Sequence, residues 1–194
     1  LMSFLFVGML FVMLPRGNVS ARRILEVLNT TPSIKNGTLT ESVSGVKGKV
    51  EFKNVCFKYP DANEYVLKNV SFVANQGDTV AFIGSTGSGK STLINLVPRF
   101  YDCTEGEVLI DDENIKNYKF SVLNNKMGYI PQKSILFSGT VRENITYGKE
   151  DATDEQINKT LEVSQAQDFV EKLKGGLEFK IAQGGTNLSG GQKQ

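Results

Sequence analysis

The chain has 194 residues, enough for one medium domain and a short additional segment. Hydrophobic residues make up 40% and charged residues 22%, and a formal net charge of +1 without a basic stripe argues against nucleic acid as a partner. The absence of histidine excludes histidine-based catalysis and histidine metal sites, and Cys56 and Cys103 are too few for a disulfide framework, so we expect two reduced, at least half-buried thiols.

The first predicted element is an apolar segment, residues 1–16, which we interpret as the end of a transmembrane helix. Its apolar run of 14 residues is shorter than the about 20 that span a bilayer. Arg16, Arg22 and Arg23 follow the run, which favours a cytoplasmic location for this end. A signal peptide would carry its positive charge before the run, whereas a buried helix of a soluble protein remains an alternative.

Residues 17–48 are predicted to form an amphipathic helix and a linker. The spacing of apolar residues in Val19–Leu28 predicts the helix, and Pro32 is expected to stop it. From Ser33 onward the sequence is polar, contains glycine and lacks periodicity, which indicates a linker.

Residues 49–194 are predicted to form an α/β domain. A turn at residues 60–63 separates the first two predicted strands, and a buried strand is expected at Thr79–Ile83. The remaining predicted strands lie at residues 50–59, 66–74, 107–111 and 127–130, and the predicted helices at residues 91–97, 154–163 and 166–174.

A glycine-rich loop, Gly84–Ser91, follows the predicted buried strand and fits the pattern G-x-x-x-x-G-K-[ST] of a phosphate-binding P-loop. Its glycines allow successive backbone N–H groups to face one phosphate, and the following helix directs its positive end there. Lys90 is expected to contact the β- and γ-phosphates, and the Ser91 hydroxyl to bind Mg²⁺. The predicted nucleotide-binding residues of the loop are Ser85, Thr86, Gly87, Ser88, Gly89, Lys90, Ser91 and Thr92.

A second motif, Leu-Ser-Gly-Gly-Gln at residues 188–192, lies about a hundred residues after the P-loop. With these two motifs the chain resembles the nucleotide-binding domain of ABC transporters, and more closely the exporter type that joins membrane and ATP-binding domains in one polypeptide. The resemblance covers essentially the whole chain. It implies a P-loop NTPase fold of the α/β class with an antiparallel β subdomain and a helical subdomain, preceded by the end of a transmembrane helix.

The resemblance implies two further residues of an ATP site. Tyr59 matches the aromatic residue that stacks on adenine, although an ordinary tyrosine at a strand end is an alternative. Gln132 matches the glutamine that completes the Mg²⁺ shell or holds water near the γ-phosphate. Lys90 and Gln132 are therefore the expected catalytic residues, and Ser91 and Gln132 the expected metal ligands.

The second motif implies a second ABC subunit, in a homodimer or a heterodimer. Ser189, Gly190, Gly191 and Gln192 are expected to contact ATP that the P-loop of that subunit holds. Ser189 suits a helix N-cap, and the glycines leave backbone N–H groups open to a phosphate. The other implied partner is a membrane domain, in the same chain or in the partner, and the transported substrate is not implied.

In this family the acidic residue that positions Mg²⁺, the general base and a histidine all lie downstream of the second motif. The sequence reaches only two residues beyond that motif. We therefore expect a C-terminally truncated domain that does not turn over ATP by itself. We also expect it to fold marginally, because loss of a central parallel strand exposes apolar faces and strand edges.

The predicted function of the parent protein is export driven by ATP hydrolysis, at the cell membrane with the ATP-binding domain on the cytoplasmic side, and with ATP and Mg²⁺ as cofactors. A soluble ABC-type ATPase outside transport is one alternative, and the apolar start argues against it. The other is a catalytically inactive nucleotide-binding module, which would hold if Gln194 is a natural terminus.

Overall fold

The computed structural model describes residues 2–41, 45 and 47–194. The predicted linker positions 42–44 and 46, and the first residue of the predicted apolar segment, lie outside the described residues. The chain divides into two compact units, Leu1–Met127 and Gly128–Gln194, each of which is described by itself.

The first helix, α1 (Met2–Leu28), is continuous, whereas the sequence indicated an apolar segment and a following amphipathic helix. Pro15 lies inside it, so one backbone hydrogen bond of the helix cannot form there. The helix is long and apolar enough to cross a membrane by length and composition, and none of its described side chains is buried. It ends at Leu28, shortly before Pro32, as predicted.

A four-stranded antiparallel sheet forms the centre of the first unit. Its strands are β1 (Val50–Phe57), β2 (Leu67–Ala74), β3 (Glu105–Ile110) and β4 (Glu113–Asn114), in the order β2-β1-β3-β4. Asp111 and Asp112, both with positive φ, form the two-residue turn between β3 and β4, as a tight hairpin requires. The predicted strands at residues 50–59, 66–74 and 107–111 are thereby confirmed, with ends that differ by a few residues.

One face of this sheet buries the core of the first unit. Phe52 is 1% exposed and stacks on Phe72, with ring centroids 4.6 Å apart. Helices α2 (Lys90–Leu96) and α3 (Phe120–Asn125) contribute further buried leucines to the same cluster. The helix predicted after the P-loop is therefore confirmed. Cys103 is buried and Cys56 half-buried, both as free thiols, as expected.

Two predicted strands are absent from the described structure. Thr79–Ile83 and Met127–Ile130 have no ladder partner among the described residues and are not extended strands of a sheet there. Ile83 is 96% exposed and Ile130 is 75% exposed. The prediction of a buried strand before the P-loop is therefore wrong for this structure, because an apolar run becomes a strand only where a neighbour accepts and donates its backbone hydrogen bonds.

The second unit is mainly helical. Its helices are α4 (Val141–Ile145), α5 (Asp154–Val163), α6 (Gln167–Lys172) and α7 (Gly190–Lys193), and two short strands, β5 (Gly139–Thr140) and β6 (Lys180–Ile181), pair antiparallel. Its buried apolar side chains are Val141, Ile157, Leu161, Val170 and Ile181. The predicted helices at residues 154–163 and 166–174 are confirmed, the second ending at Lys172.

Side-chain contacts at helix ends stabilise the second unit. Thr140 and Thr153 each form a capping box with the residue three positions later, at the start of α4 and of α5. Arg142 on α4 pairs with Asp154 at 2.5 Å and with Glu178 at 2.9 Å. The hydrogen bonds to Asp154 and Glu178 raise the pKa of Arg142, so its guanidinium stays charged and joins three parts of the chain.

Candidate functional site

The P-loop lies between the exposed segment ending at Ile83 and the start of α2. Its lysine, Lys90, forms hydrogen bonds to oxygens of the loop itself. The Lys90 ammonium donates to the carbonyl oxygens of Gly84 at 2.8 Å and Ser85 at 2.6 Å, and it lies 3.2 Å from the Ser88 hydroxyl. An ammonium has three N–H donors, and three loop oxygens face them here. Phosphate oxygens are stronger acceptors than these neutral groups, so a bound phosphate can replace them.

Two glycines of the loop have backbone conformations that other residues rarely adopt. Gly87 has φ of 85° and Gly89 has φ of 89°. Gly89 is the N-cap of α2, and no side chain caps that helix end. The first-turn N–H groups of α2 are therefore not occupied by a capping side chain and suit an anion.

A cavity of about 300 Å³ joins this loop to Tyr59. The Tyr59 hydroxyl and the Thr92 hydroxyl oxygen are 3.0 Å apart, within hydrogen-bonding distance. The Tyr59 ring makes edge contacts with Phe57, at a centroid distance of 5.0 Å, and with Tyr101, at 5.3 Å. The lining residues are Tyr59, Val66, Gly87, Ser88, Gly89, Lys90, Ser91 and Thr92.

The structure thus brings together the predicted adenine platform and most of the predicted phosphate loop. Ser85 and Thr86 are exposed and lie outside the lining of this cavity. Sequence reasoning missed the contact between Tyr59 and Thr92 and the supporting ring of Tyr101. No pattern signal could have found them, because these residues are 33 and 42 positions from Tyr59 and come together only in the tertiary fold.

The predicted Mg²⁺ ligands lie in different units. Ser91 lines the cavity of the first unit with an exposed hydroxyl, and one hydroxyl oxygen suits Mg²⁺, which keeps several waters and takes its remaining ligands from substrate phosphates. Gln132 belongs to the second unit, so its part in this metal shell stays a prediction. Among the described residues, no cluster of three or more histidine, cysteine or carboxylate side chains could hold a metal.

Within the second unit, Gln132 and Gly190 line one cavity of about 510 Å³. The sequence placed both in an ATP site but did not predict that they share a cavity within one subunit. Lys193 lines the same cavity and donates from its ammonium to the Gly184 carbonyl oxygen at 3.0 Å.

The motif at residues 188–192 begins α7. The Gln192 N–H donates to the Ser189 hydroxyl oxygen at 3.4 Å, and the Ser189 N–H donates to the Gln192 side-chain oxygen at 2.9 Å. The N-cap predicted for Ser189 is therefore confirmed. Gly190 and Gly191 are exposed, and an added Cβ at either would meet no atom within 4 Å. Crowding among the described residues therefore does not require glycine at either position.

Comparison with known proteins identifies the family. The family whose sequence profile matches residues 67–194 is described as ABC transporter. The chain belongs to the ABC transporter family. The resemblance and the fold class expected from the sequence are thereby confirmed, and the chain carries the P-loop ATP-binding domain of that family.

Similar proteins agree with this family. Two Staphylococcus aureus proteins that bear the name multidrug export ATP-binding/permease protein are 41% and 42% identical to this ABC transporter chain over 171 residues. The match covers 88% of the chain and 30% of each relative, so the chain spans about a third of their length. A solved structure described as a bacterial Atm1-family ABC exporter with ATP bound matches at a TM-score of 0.84 and 31% identity, over 96% of this chain and 32% of that one.

Proposed function

We propose that the chain is part of an ABC exporter subunit that couples ATP hydrolysis to transport across a cell membrane. Residues 1–16 would end the last transmembrane helix, residues 17–48 would form the continuation of α1 and the linker, and residues 49–194 would form the ATP-binding domain. The names of the similar proteins support export. The exposed apolar helix α1 and the arginines that follow its apolar half support a membrane location with the ATP-binding domain on the cytoplasmic side.

The cavity that joins Tyr59 to the P-loop is the observation that carries the proposed ATP site. Adenine stacks on the Tyr59 ring, and the phosphates lie against the loop and the start of α2. Lys90 leaves the loop carbonyls and donates to the β- and γ-phosphates. Mg²⁺, when bound, offsets phosphate charge, and the residues proposed to hold it are Ser91 and Gln132.

The exposed motif at residues 189–192 is proposed to contact ATP held by a second subunit. Open glycines and a capped helix start would present backbone N–H groups to that phosphate. A homodimer or a heterodimer meets this requirement equally well. A membrane domain, in this polypeptide or in its partner, would receive the movement that follows when the two ATP-binding domains close on ATP and reopen after hydrolysis.

Nucleotide binding by the 194-residue chain in detergent tests the proposed site. Titration with ATP and with inorganic tripolyphosphate separates the base contact from the phosphate contacts. Lys90→Ala is expected to weaken both ligands about tenfold to a hundredfold, because a hydrogen bond to a charged group contributes about 1.5–3 kcal/mol. Tyr59→Ala is expected to weaken ATP alone by about fivefold or more, since stacking of a base on an aromatic ring contributes about 1–3 kcal/mol.

Two exposed residues of the second unit provide matched controls. Lys159→Ala removes an exposed lysine of α5, and Tyr147→Ala removes a tyrosine that is 68% exposed. Neither control should change the affinity for either ligand. Equal loss of ATP binding in Lys90→Ala and Lys159→Ala would contradict the proposal that the P-loop binds the phosphates.

Membrane association tests the proposed location. The chain should co-sediment with phospholipid vesicles through α1, and Leu10→Lys should weaken that association, because a lysine at the centre of a spanning helix costs about 2.5–3.5 kcal/mol. Retention of the wild-type chain in the supernatant would favour the soluble ATPase over the exporter.

A further inference from the structure

Residues 36–39, which belong to the linker between α1 and β1, are docked on another segment of the first unit. They lie beside residues 117–120, which are the end of the loop before α3 and the first residue of that helix, and Leu39 makes a parallel bridge with Tyr118. Leu39 also packs against the core cluster of this unit. The hydrogen bonds that join the two segments are Gly37 N to Tyr118 O (3.1 Å), Leu39 N to Asn117 O (2.8 Å), Lys119 N to Leu39 O (3.0 Å) and Phe120 N to Asn36 Oδ1 (2.8 Å).

Glycine is required at the centre of this contact. A Cβ on Gly37 would lie 2.2 Å from the Asn117 carbonyl oxygen and 2.5 Å from that of Tyr118. Both close atoms belong to backbone, so a small side-chain movement cannot relieve the clash. A larger residue at position 37 must therefore separate the two segments.

Just before this contact, the linker reaches the aromatic residues beside the proposed adenine site. Ser33 and Ile34 line a cavity of about 290 Å³ together with Phe57, Tyr59 and Tyr101. Ile34 is half-buried, whereas the residues on either side of it are exposed. Tyr59 lines both this cavity and the P-loop cavity. The linker and the proposed nucleotide site therefore border the same tyrosine.

We propose that residues 33–39, which we name the linker strap, position Tyr59 to bind the nucleobase. Tyr59 and Ile34 line the same 290 Å³ cavity, and Ile34 is the aliphatic side chain that the strap places in its wall. The docked contact begins at Asn36, only two residues after Ile34, and therefore holds Ile34 at that wall. The inference rests on the proposed ATP site and adds a positioning residue that lies outside the folded sheet.

A glycine substitution that detaches the strap tests this role. Gly37→Val is expected to weaken ATP binding about fivefold, within the range of base–aromatic stacking, and to leave the affinity for tripolyphosphate unchanged. Gly45→Val makes the same change in the same linker, where an added Cβ meets no atom within 4 Å. This control should bind both ligands as the wild type does.

Substitution of Ile34 provides the second test. Ile34→Ala should reproduce the loss specific to ATP, and Ile34→Val, which keeps a branched apolar side chain, should restore most of the affinity. Wild-type affinity for ATP in both Gly37→Val and Ile34→Ala would overturn the positioning role. An equal loss of ATP and tripolyphosphate would also overturn it, since a general disturbance of the fold does not distinguish the two ligands.

The wild-type chain distinguishes failure of this inference from failure of the proposed function. Wild-type chain that binds neither ATP nor tripolyphosphate overturns the nucleotide site itself. If the wild-type chain binds both ligands and the strap variants bind ATP equally well, only the positioning role of the strap is overturned.

Discussion

The strand β1 and the segment Thr79–Ile83 are both rich in apolar residues, yet they reach opposite states. In β1, Phe52 is 1% exposed, and the strand pairs with β2 on one side and β3 on the other. In the second segment, Ile83 is 96% exposed, and no described strand pairs with it. An apolar run therefore does not form a strand unless a partner satisfies its backbone hydrogen bonds.

The same contrast predicts the largest mutational effect. Phe52→Ala should lower the free energy of unfolding of the first unit by about 3–5 kcal/mol, because a large side chain leaves a packed core. The ring also loses its stacked contact with Phe72. Chemical denaturation followed by circular dichroism measures this change.

Ile83→Ala is the matched substitution in the unpaired segment. It should change the free energy of unfolding by less than about 0.5 kcal/mol, since an exposed side chain loses no burial. A cost comparable to that of Phe52→Ala would mean that this segment is paired and buried in solution, which would contradict the comparison.

A smaller effect is expected in the second unit, whose two strands have only two residues each and whose helices depend on their caps. Thr153→Ala removes the acceptor for the Gln156 N–H at the start of α5 and should cost about 0.5–2 kcal/mol of stability. Thr153→Ser keeps a hydroxyl and should cost much less. Equal losses in the two variants, in thermal or chemical unfolding, would show that the cap contributes little here.

The smallest expected effect is a difference in alkylation rate between two thiols. Cys56 lies in β1, and Cys103 lies in the buried cluster of the first unit. Burial raises the pKa of Cys103, so less of its reactive thiolate is present near neutral pH. Cys103 should therefore react with iodoacetamide more slowly than the half-buried Cys56, and its rate should rise as the pH increases toward the raised pKa. Equal rates, measured by mass spectrometry of peptides from the native protein, would mean that the core opens readily.

Much of the candidate site follows from local sequence alone. The P-loop depends on glycines at positions that need positive φ, and the structure shows that conformation at Gly87 and Gly89. The cap at Ser189 likewise depends on residues three positions apart. Such features are predictable because they rest on backbone conformation and contacts within one turn.

The features that the sequence did not reveal depend on residues far apart in the chain. The cavity between Tyr59 and the P-loop forms because β1 and α2 belong to one packed core. The docking of residues 36–39 on residues 117–120 has no periodicity or motif, so the sequence indicated only a linker. The buried strand predicted at Thr79–Ile83 was wrong for the related reason that pairing is decided by neighbours and not by the segment itself.

Short-range geometry and hydrophobic spacing are enough to predict the two glycine motifs, the longer helices and the three longest strands of the described structure. The two motifs also carry the resemblance that led to the family. Tertiary packing, in contrast, places Tyr59 in one cavity with the P-loop and brings Ser33 and Ile34 of the linker to the same aromatic residues. Hydrogen-bond pairing and close packing between distant segments depend on the whole fold, and no local pattern encodes them.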